Sequence, residues 1–316
     1  MRFSVIMPLY NKAPYVAKAI GSVLAQTFRD FELVIVDDGS SDNSAEIASK
    51  MIEGYDNCRL IRQVNAGVST ARNNGVAVSQ GDFLCFLDAD DWLGTTYLAE
   101  LETLIKEFPD AGIYGTNYTI VNETRHKTRV ASVGVDEGFV KGYINYCRIY
   151  AKTMYMPLWT GAVCIPRPVF DLVEGFNPQL KMGEDFDLWI RIALHHKVAF
   201  LNRPLSNYNQ DVDAAPRALG SLPAPKSQFA FCADYLKKEM ENDAELKQVV
   251  EFVQIICLKD YYLSKAYHAE AKKVLDGIDL KSHLSKAYAD YLRHPVWYAR
   301  LSDKLSRILV RVRDGK

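Results

Sequence analysis

Two clusters of aspartates follow two short apolar runs in the N-terminal third of the sequence. Asp37 and Asp38 form one cluster, and Asp88, Asp90 and Asp91 form the other. Because ligands of an α/β sheet bind outside the carboxyl ends of its parallel strands, we expect both clusters to face one crevice. Carboxylates at such a place suit a hard divalent cation, Mg²⁺ or Mn²⁺, whose coordination a substrate diphosphate would complete. The alternative is that these aspartates only form turns and helix caps.

The elements that must position these clusters are short β-rich runs that alternate with helical stretches, as expected when helices connect parallel strands. The predicted strands are 3–7, 33–36, 59–63 and 83–87. Helices are predicted at about 96–108 and 184–195, and Asn43 with Glu46 resembles a capping box at the start of another helix. The predicted fold class is therefore α/β, a Rossmann-like, mostly parallel sheet flanked by helices.

Motifs and composition exclude several other functions. Neither G-x-G-x-x-G nor G-x-x-x-x-G-K-[ST] follows the first predicted strand, which argues against dinucleotide and P-loop sites. The 316 residues carry 38 Lys and Arg against 39 Asp and Glu, so no overall field attracts nucleic acid. Six cysteines without C-x-x-C spacing indicate reduced thiols, and the N-terminus lacks the features of a signal peptide. Both observations favour a cytoplasmic protein.

Five sequence segments together carry a resemblance to a known family. They are SVIMPLYNKAPYV at the start, then VDDGSSD, NAGVSTARNNG, GDFLCFLDADDW and GFNPQLKMGEDFDLWIR. In this order and spacing they resemble the family 2 glycosyltransferases, which have the GT-A fold. The resemblance covers about residues 1–210.

The resemblance implies a domain organisation. Residues 1–212 would form the GT-A domain, with a nucleotide-binding half at about 1–116 and an acceptor half at 117–212. Residues 213–225 are rich in proline and predict a linker or mobile loop. Residues 226–316 show helical spacing and predict a helical C-terminal region.

The resemblance also implies an activity. We expect an inverting transfer of a hexosyl or N-acetylhexosaminyl group from a nucleotide diphosphate sugar, with a UDP-sugar as the expected donor. The acceptor would be a hydroxyl of a glycan or of a lipid-linked acceptor, in the biosynthesis of a surface polysaccharide. A divalent cation, Mn²⁺ or Mg²⁺, is the expected cofactor.

Residue by residue, the resemblance assigns the donor site. Pro8, Tyr10 and Asp38 would hold the nucleotide base, and Asp38 would accept the imide proton of uracil. Arg72 would contact the nucleotide or its diphosphate. Asp88 and Asp90 would form the D-x-D pair. Asp90 would bind the metal directly, and Asp88 would lie nearer the ribose and serve as a second metal ligand.

The resemblance places the general base at Asp185, because an inverting transfer needs a group that takes the proton of the acceptor hydroxyl. Glu184 would position the acceptor or anchor the start of the helix. Trp159 would line the acceptor side, although an ordinary core position explains it equally well. Many relatives carry a histidine shortly after the tyrosine equivalent to Tyr208, whereas the nearest substitute here is Asp211, which leaves metal binding from that side open.

Two other functions remain as alternatives. A sugar-phosphate nucleotidyltransferase also places acidic residues at strand ends, but it should begin with a glycine-rich basic loop, which MPLYNKAPY is not. A non-catalytic glycan-binding protein of the same fold would be expected to lack Asp90 or Asp185, and the sequence has both.

The C-terminal tail differs in charge from the rest of the chain. Residues 291–316 contain seven Lys and Arg against two Asp, which leaves a charge of +5. Apolar and basic residues fall on different helical faces over 295–313, the pattern of a helix that lies on an anionic membrane surface. A helix packed on the protein, or on a second copy in a homodimer, explains the pattern equally well.

Overall fold

The computed structural model describes residues 1–211, 222–280 and 296–298. The chain divides into two compact units, Met1–Gly220 and Ser221–Lys316. The linker predicted at 213–225 lies outside the described residues except for 222–225, which lead into a 3₁₀ turn at Pro225–Ser227.

The first unit is built on one sheet of ten strands. Their bounds are β1 Phe3–Leu9, β2 Phe31–Asp37, β3 Cys58–Arg62, β4 Phe83–Phe86, β5 Trp92–Leu93, β6 Ala111–Asn122, β7 Lys127–Val130, β8 Lys141–Ile144, β9 Val163–Pro166 and β10 Lys197–Asn209. The order across the sheet is β3-β2-β1-β4-β9-β6-β10-β5, and β7 and β8 pair with β6 and β10 respectively.

The strand directions divide the sheet into two parts. Strands β3, β2, β1 and β4 are parallel to one another, and β6 is parallel to β10. Strand β9 is antiparallel to both of its neighbours, β4 and β6, and β5, β7 and β8 pair antiparallel at the other side of the sheet. The predicted α/β class is confirmed, but the sheet is mixed where the sequence predicted a mostly parallel one.

One set of helices flanks this sheet, and a second set forms the second unit. Those of the first unit are α1 Val16–Leu24, α2 Ser44–Met51, α3 Val68–Val78, α4 Tyr97–Glu107, α5 Tyr146–Thr153, α6 Arg167–Leu172 and α7 Glu184–Ala193. Those of the second unit are α8 Phe229–Cys232, α9 Lys237–Asn242, α10 Ala244–Cys257, α11 Lys259–Leu263 and α12 His268–Leu275. The described part of 226–316 is thus helical, as predicted.

The central strands are apolar because both of their faces are covered. Every residue of β2 is buried, and β1 is buried except at Pro8. Helix α3 packs very closely on this layer, since a Cβ added at Gly75 would lie 2.5 Å from Cγ2 of Ile6. Glycine is therefore required there, and the close approach fixes where the neighbouring residues of α3 stand.

One local prediction is wrong. Asn43 is the N-cap residue of α2, but its side chain makes no capping hydrogen bond, so the predicted capping box with Glu46 does not form. The carboxylate of Asp42 accepts the amide of Ser44 instead, at 3.0 Å. An aspartate one residue earlier thus satisfies a free amide at the helix start.

The second unit has its own apolar core, in which Ile255, Leu258 and Tyr261 are fully buried. The amphipathic helix predicted over 295–313 lies outside the described residues except for 296–298, which are helical. Among the residues that the structure describes, no helix is both long and apolar enough to cross a bilayer.

Candidate active site

The loops that carry the predicted site residues lie at one edge of the sheet. Strands β1, β2 and β4 are parallel and end next to one another, so the segments that follow Leu9, Asp37 and Phe86 emerge on the same side. The amide of Asp38 donates to the carbonyl of Leu9 at 2.8 Å, which joins the first two of these loops. The two aspartate clusters thus share an edge, as the sequence predicted.

Asp38 is buried, and both of its carboxylate oxygens are engaged. Oδ1 accepts hydrogen bonds from Gln63 Nε2 at 2.8 Å and from the amide of Ala66 at 2.7 Å, and Oδ2 accepts the amide of Gly67 at 2.9 Å. These bonds order the loop between β3 and α3. A carboxylate has about four acceptor positions, so Asp38 keeps one for a further donor, such as the imide of a base.

The other two residues predicted at the base lie in and after β1. Pro8 is partly buried in the strand, and Tyr10 is 37% exposed at the surface. Asn11, which follows, has a left-handed backbone with φ of 50°. Its side-chain oxygen accepts the amide of Ser41 at 2.8 Å, and this contact holds the turn against the loop after β2.

In the described part of the chain, no two of the three carboxylates after β4 share a hydrogen-bond partner. Asp88 Oδ1 accepts from Arg72 Nη2 at 2.8 Å, and Asp90 Oδ2 accepts from Lys12 Nζ at 2.5 Å. Burial raises the pKa of Asp90, and the charge of Asp88 raises it further, although Lys12 opposes both effects. Asp90 therefore lies in a place where more positive charge than Lys12 provides would be favourable.

Asp91, the third carboxylate, is fully buried and organises the neighbouring strand ends. Its Oδ1 accepts the amide of Asn209 at 2.9 Å, and its Oδ2 accepts Nε1 of Trp159 at 3.0 Å. Burial raises the pKa of Asp91 well above its ordinary value, and Asp90 and Asp88 raise it further. The sequence placed Asp91 in the cluster but gave it no role of its own.

Trp159 is held as one side of an aromatic cluster. Its ring lies 4.1 Å from that of Tyr208 and 5.8 Å from that of Tyr118, measured between centroids. The indole is partly exposed, and its nitrogen is fixed by Asp91. A partly exposed ring of fixed orientation can pack against the apolar face of a sugar.

Arg72, on α3, connects the D-x-D segment to the start of α7. It is buried, its Nη2 binds Asp88, and its Nη1 donates to Glu184 Oε1 at 3.1 Å. Burial alone would lower the pKa of Arg72, but the charges of Asp88 and Glu184 outweigh it and raise that pKa. Nε of Arg72 is buried without a partner among the described residues, so it can donate to a further acceptor.

Asp185 lies beside Glu184 in the first turn of α7. The helix begins after Gly183, whose φ of 81° favours glycine. Burial raises the pKa of Asp185 to about 6, and the charge of Glu184 adds to the rise, although Arg72 and the amide of Phe186 oppose it. A carboxylate with this pKa is mostly ionised at pH 7 and is a stronger base than an ordinary aspartate.

Asp211 points into a turn. Its carboxylate accepts the amides of Glu123 and Thr124, between β6 and β7. The described contacts therefore give Asp211 a structural function in the β6–β7 turn.

The residues of the site fit a divalent cation for which the protein supplies only some of the ligands. Among the described residues, no three His, Cys, Asp or Glu side chains form a group that could hold a metal ion alone. One or two carboxylates completed by substrate phosphates are nevertheless the usual setting for Mg²⁺. The connected cluster has five carboxylates, Asp88, Asp90, Asp91, Glu184 and Asp185, against the two cations Lys12 and Arg72. This excess of negative charge favours an added cation.

The sequence analysis did not identify Lys12, whose ammonium donates to Asp90, the residue predicted to bind the metal. Lys12 and Asp90 are 78 residues apart, and nothing in the NK dipeptide indicates a partner. The available signal was the position of Lys12 in the loop after β1, which must lie at the same sheet edge as Asp90.

Comparisons with known proteins bear on the family. Residues 4–163 match the sequence model described as glycosyl transferase family 2. GlyG, a glycosyltransferase of Streptococcus pneumoniae, is 32% identical over 282 residues, which cover 84% of this chain and 89% of GlyG. GlyA of the same species is 38% identical over 123 residues, which cover 39% of this chain. The matched region spans only 18% of GlyA.

A solved structure resembles the whole chain. The structure of TarS 1–349 from S. aureus in complex with UDP-GlcNAc has a TM-score of 0.68 and covers 100% of this chain and 93% of that one. At 19% identity this likeness shows the fold alone, and that fold is GT-A, as the sequence predicted. The family match and the extended similarity to GlyG lead to one conclusion: the chain belongs to glycosyl transferase family 2.

Proposed function

We propose that the protein is an inverting, metal-dependent glycosyltransferase that moves a sugar from a UDP-sugar to a hydroxyl of a glycan or lipid-linked acceptor. The observation that carries the proposal is the chain of contacts from Asp88 through Arg72 to Glu184, with Asp185 next to it. It joins carboxylates suited to a metal and diphosphate to a carboxylate suited to a general base. The UDP-GlcNAc bound by TarS supports that donor as the first one to test.

The proposed reaction is a single displacement. The oxygen of the acceptor hydroxyl forms a bond to the anomeric carbon, while the bond from that carbon to the diphosphate oxygen breaks and its electrons leave with the nucleoside diphosphate. The proton of the hydroxyl passes to Asp185, whose pKa of about 6 leaves it ionised at pH 7. Attack from the face opposite the leaving group inverts the anomeric configuration.

The residues at the sheet edge would stabilise the departing diphosphate. A divalent cation held by Asp90, with Asp88 nearby, would supply positive charge there when it is bound. Arg72 is already committed to two carboxylates, so its main contribution would be to hold Asp88 and Glu184 at a fixed separation. Its Nε has no partner among the described residues and is free to donate to the nucleotide.

The acceptor would bind on the side of Trp159. Its indole is fixed by Asp91 and by the rings of Tyr118 and Tyr208, so it offers a rigid apolar surface. Rigid positioning of the acceptor hydroxyl lowers the entropic cost of the displacement. We place the reaction in the synthesis of a surface polysaccharide, at the cytoplasmic face of the membrane.

The donor is tested first by thermal unfolding with UDP, GDP and UDP-sugars, each with and without Mn²⁺. A ligand at ~100 times its dissociation constant adds about 2.7 kcal/mol to stability, which such a measurement resolves. We expect stabilisation that needs both a uridine nucleotide and the metal. Stabilisation by GDP in preference to UDP, or by no nucleotide, would contradict the proposed donor.

Catalysis is tested by the release of UDP from the donor that binds, with the anomeric configuration of the product followed by NMR. Asp185→Asn should lower the rate by roughly a hundredfold or more and leave nucleotide binding unchanged. Asp171→Asn is the matched control, because Asp171 is an exposed aspartate on α6. A product of retained configuration, or an unchanged rate in Asp185→Asn, would rule out this mechanism.

A further inference from the structure

The residue predicted to bind metal already has a cationic partner. Lys12 Nζ lies 2.5 Å from Asp90 Oδ2, and both side chains are largely buried, with 17% of Lys12 and 16% of Asp90 exposed. An ammonium and a divalent cation repel each other, so binding of both at one carboxylate oxygen is unfavourable. A metal bound through Oδ2 of Asp90 therefore favours the departure of Lys12 from that oxygen.

The backbone around Lys12 is held in place by the loop after β2 and by the first residue of α2. The amide of Lys12 donates to Ser44 Oγ at 2.7 Å, and the amide of Ala13 donates to Asp42 Oδ2 at 3.1 Å. The amide of Asn11 donates to Ser40 Oγ at 3.1 Å. Because three successive amides are fixed, a change of partner by Lys12 requires only rotation of its side chain, which has a flexible four-carbon stem.

The two D-x-D carboxylates differ in how firmly their cationic partners are held. Asp88 is bound by Arg72, which is buried and also bound to Glu184, so that contact belongs to a rigid group. Asp90 is bound by Lys12, whose ammonium has no second carboxylate partner among the contacts of the described residues. Asp90 can therefore change partner at a lower cost than Asp88.

We propose that Lys12 changes partner when the donor binds. In the free enzyme its ammonium neutralises Asp90. When a divalent cation binds Asp90, the ammonium leaves and donates to the diphosphate of the nucleotide, a ligand that lysine commonly binds as a point charge. Lys12 thereby holds an acidic site together before the donor arrives and adds positive charge to the leaving group afterwards. This inference rests on the proposed metal-dependent use of a nucleoside diphosphate.

The proposal makes opposite predictions for two binding measurements on one variant, Lys12→Met, which keeps a side chain of similar length without the charge. For Mn²⁺ alone, measured by the EPR signal of the free ion, affinity should rise about tenfold, because the competing ammonium is gone. For UDP in the presence of saturating Mn²⁺, measured by calorimetry, affinity should fall about tenfold, because a charged donor to the diphosphate is lost.

Three controls accompany this variant. Lys12→Arg keeps the charge and should stay close to the wild type in both measurements. Lys106→Met removes an exposed lysine that pairs with Glu102 on α4, and should change neither. Asp90→Asn should abolish the binding of Mn²⁺ alone. Thermal unfolding of each variant shows whether it is folded.

The outcomes distinguish the inference from the proposed function. If wild-type protein binds no UDP in the presence of Mn²⁺, the proposed donor is wrong and the inference falls with it. If wild-type protein binds UDP with Mn²⁺ but Lys12→Met leaves either affinity unchanged, the exchange of partners is wrong and the proposed function stands. If wild-type protein binds UDP equally well without metal and Lys12→Met abolishes that binding, Lys12 replaces the metal, and this also overturns the exchange.

Discussion

Replacement of Asp185 by asparagine should remove activity and at the same time stabilise the fold at neutral pH. Burial and the neighbouring Glu184 raise the pKa of Asp185 from 3.8 to about 6. The ionised carboxylate is therefore a destabilising group in the folded protein, as a pKa tuned for the proposed general base would require. An amide of the same shape has no charge to bury, and its oxygen can still accept the amide of Phe186.

The sign and size of the effect follow from linkage. Since the folded-state pKa lies above the unfolded value, the folded protein holds the proton longer, and the free energy of unfolding falls as the pH rises from about 4 to about 6. A difference between 3.8 and about 6 corresponds to at most about 3 kcal/mol. In Asp185→Asn this loss is absent, so the variant should gain stability over wild type through that interval and keep the gain above it.

The assay is thermal unfolding of wild type, Asp185→Asn and the control Asp171→Asn from pH 4 to pH 8. A gain of 1 kcal/mol raises the melting temperature of a domain of this size by about 2–4 °C. We expect the melting temperatures of wild type and Asp185→Asn to converge near pH 4 and to differ by several degrees at pH 7.5. The control should follow wild type throughout.

The same pKa predicts the pH dependence of the rate. For wild type, kcat/KM should rise about tenfold per pH unit below pH 6 and level off above it, because the base must be ionised. A lower melting temperature of Asp185→Asn at pH 7.5 would show that the carboxylate is structural. A rate that does not change between pH 5 and pH 7 would refute its assignment as the base.

Other perturbations have separate outcomes. Asp90→Asn should lose metal-dependent UDP binding while its melting temperature stays near that of wild type, and calorimetry with and without Mn²⁺ measures this. Arg72→Lys replaces a planar guanidinium that binds two carboxylates by separate nitrogens with a single ammonium, and should cost about 1–3 kcal/mol of stability, read from denaturant unfolding. Trp159→Phe leaves Asp91 with one hydrogen bond fewer and should raise KM for the acceptor more than it changes kcat. Truncation after Leu292 should abolish salt-sensitive binding to anionic vesicles, which co-sedimentation tests.

The shared location of the acidic residues was predictable from the sequence because it depends on topology alone. Consecutive apolar runs separated by helices predict parallel strands, and parallel strands bring their carboxyl ends to one edge. That reasoning placed Asp38 and Asp90 together without any knowledge of side-chain contacts. The helix that starts at Glu184 was predicted from the spacing of its apolar residues.

The mixed direction of the sheet was not predictable in this way. Strand β9, Val163–Pro166, is a buried apolar run of four residues, and such a run has no feature that shows which way it pairs. It directly follows the 3₁₀ turn Thr160–Ala162, which begins after Trp159. The antiparallel position of β9 between β4 and β6 brings that turn to Asp91, and so creates the indole contact.

Individual ion pairs also could not be predicted from the sequence, and Arg72 shows why they matter for function. The sequence assigned this residue to the donor, but its two terminal nitrogens bind Asp88, at the D-x-D segment, and Glu184, beside the proposed base. Its place is fixed because Gly75, one turn further along α3, packs against Ile6 of β1. One buried guanidinium thus sets the spacing between the carboxylate that would face the nucleotide and the helix that would carry the base. A change at Arg72 should therefore alter donor affinity and the pH dependence of the rate together, whereas a residue that only touched the diphosphate would alter donor affinity alone.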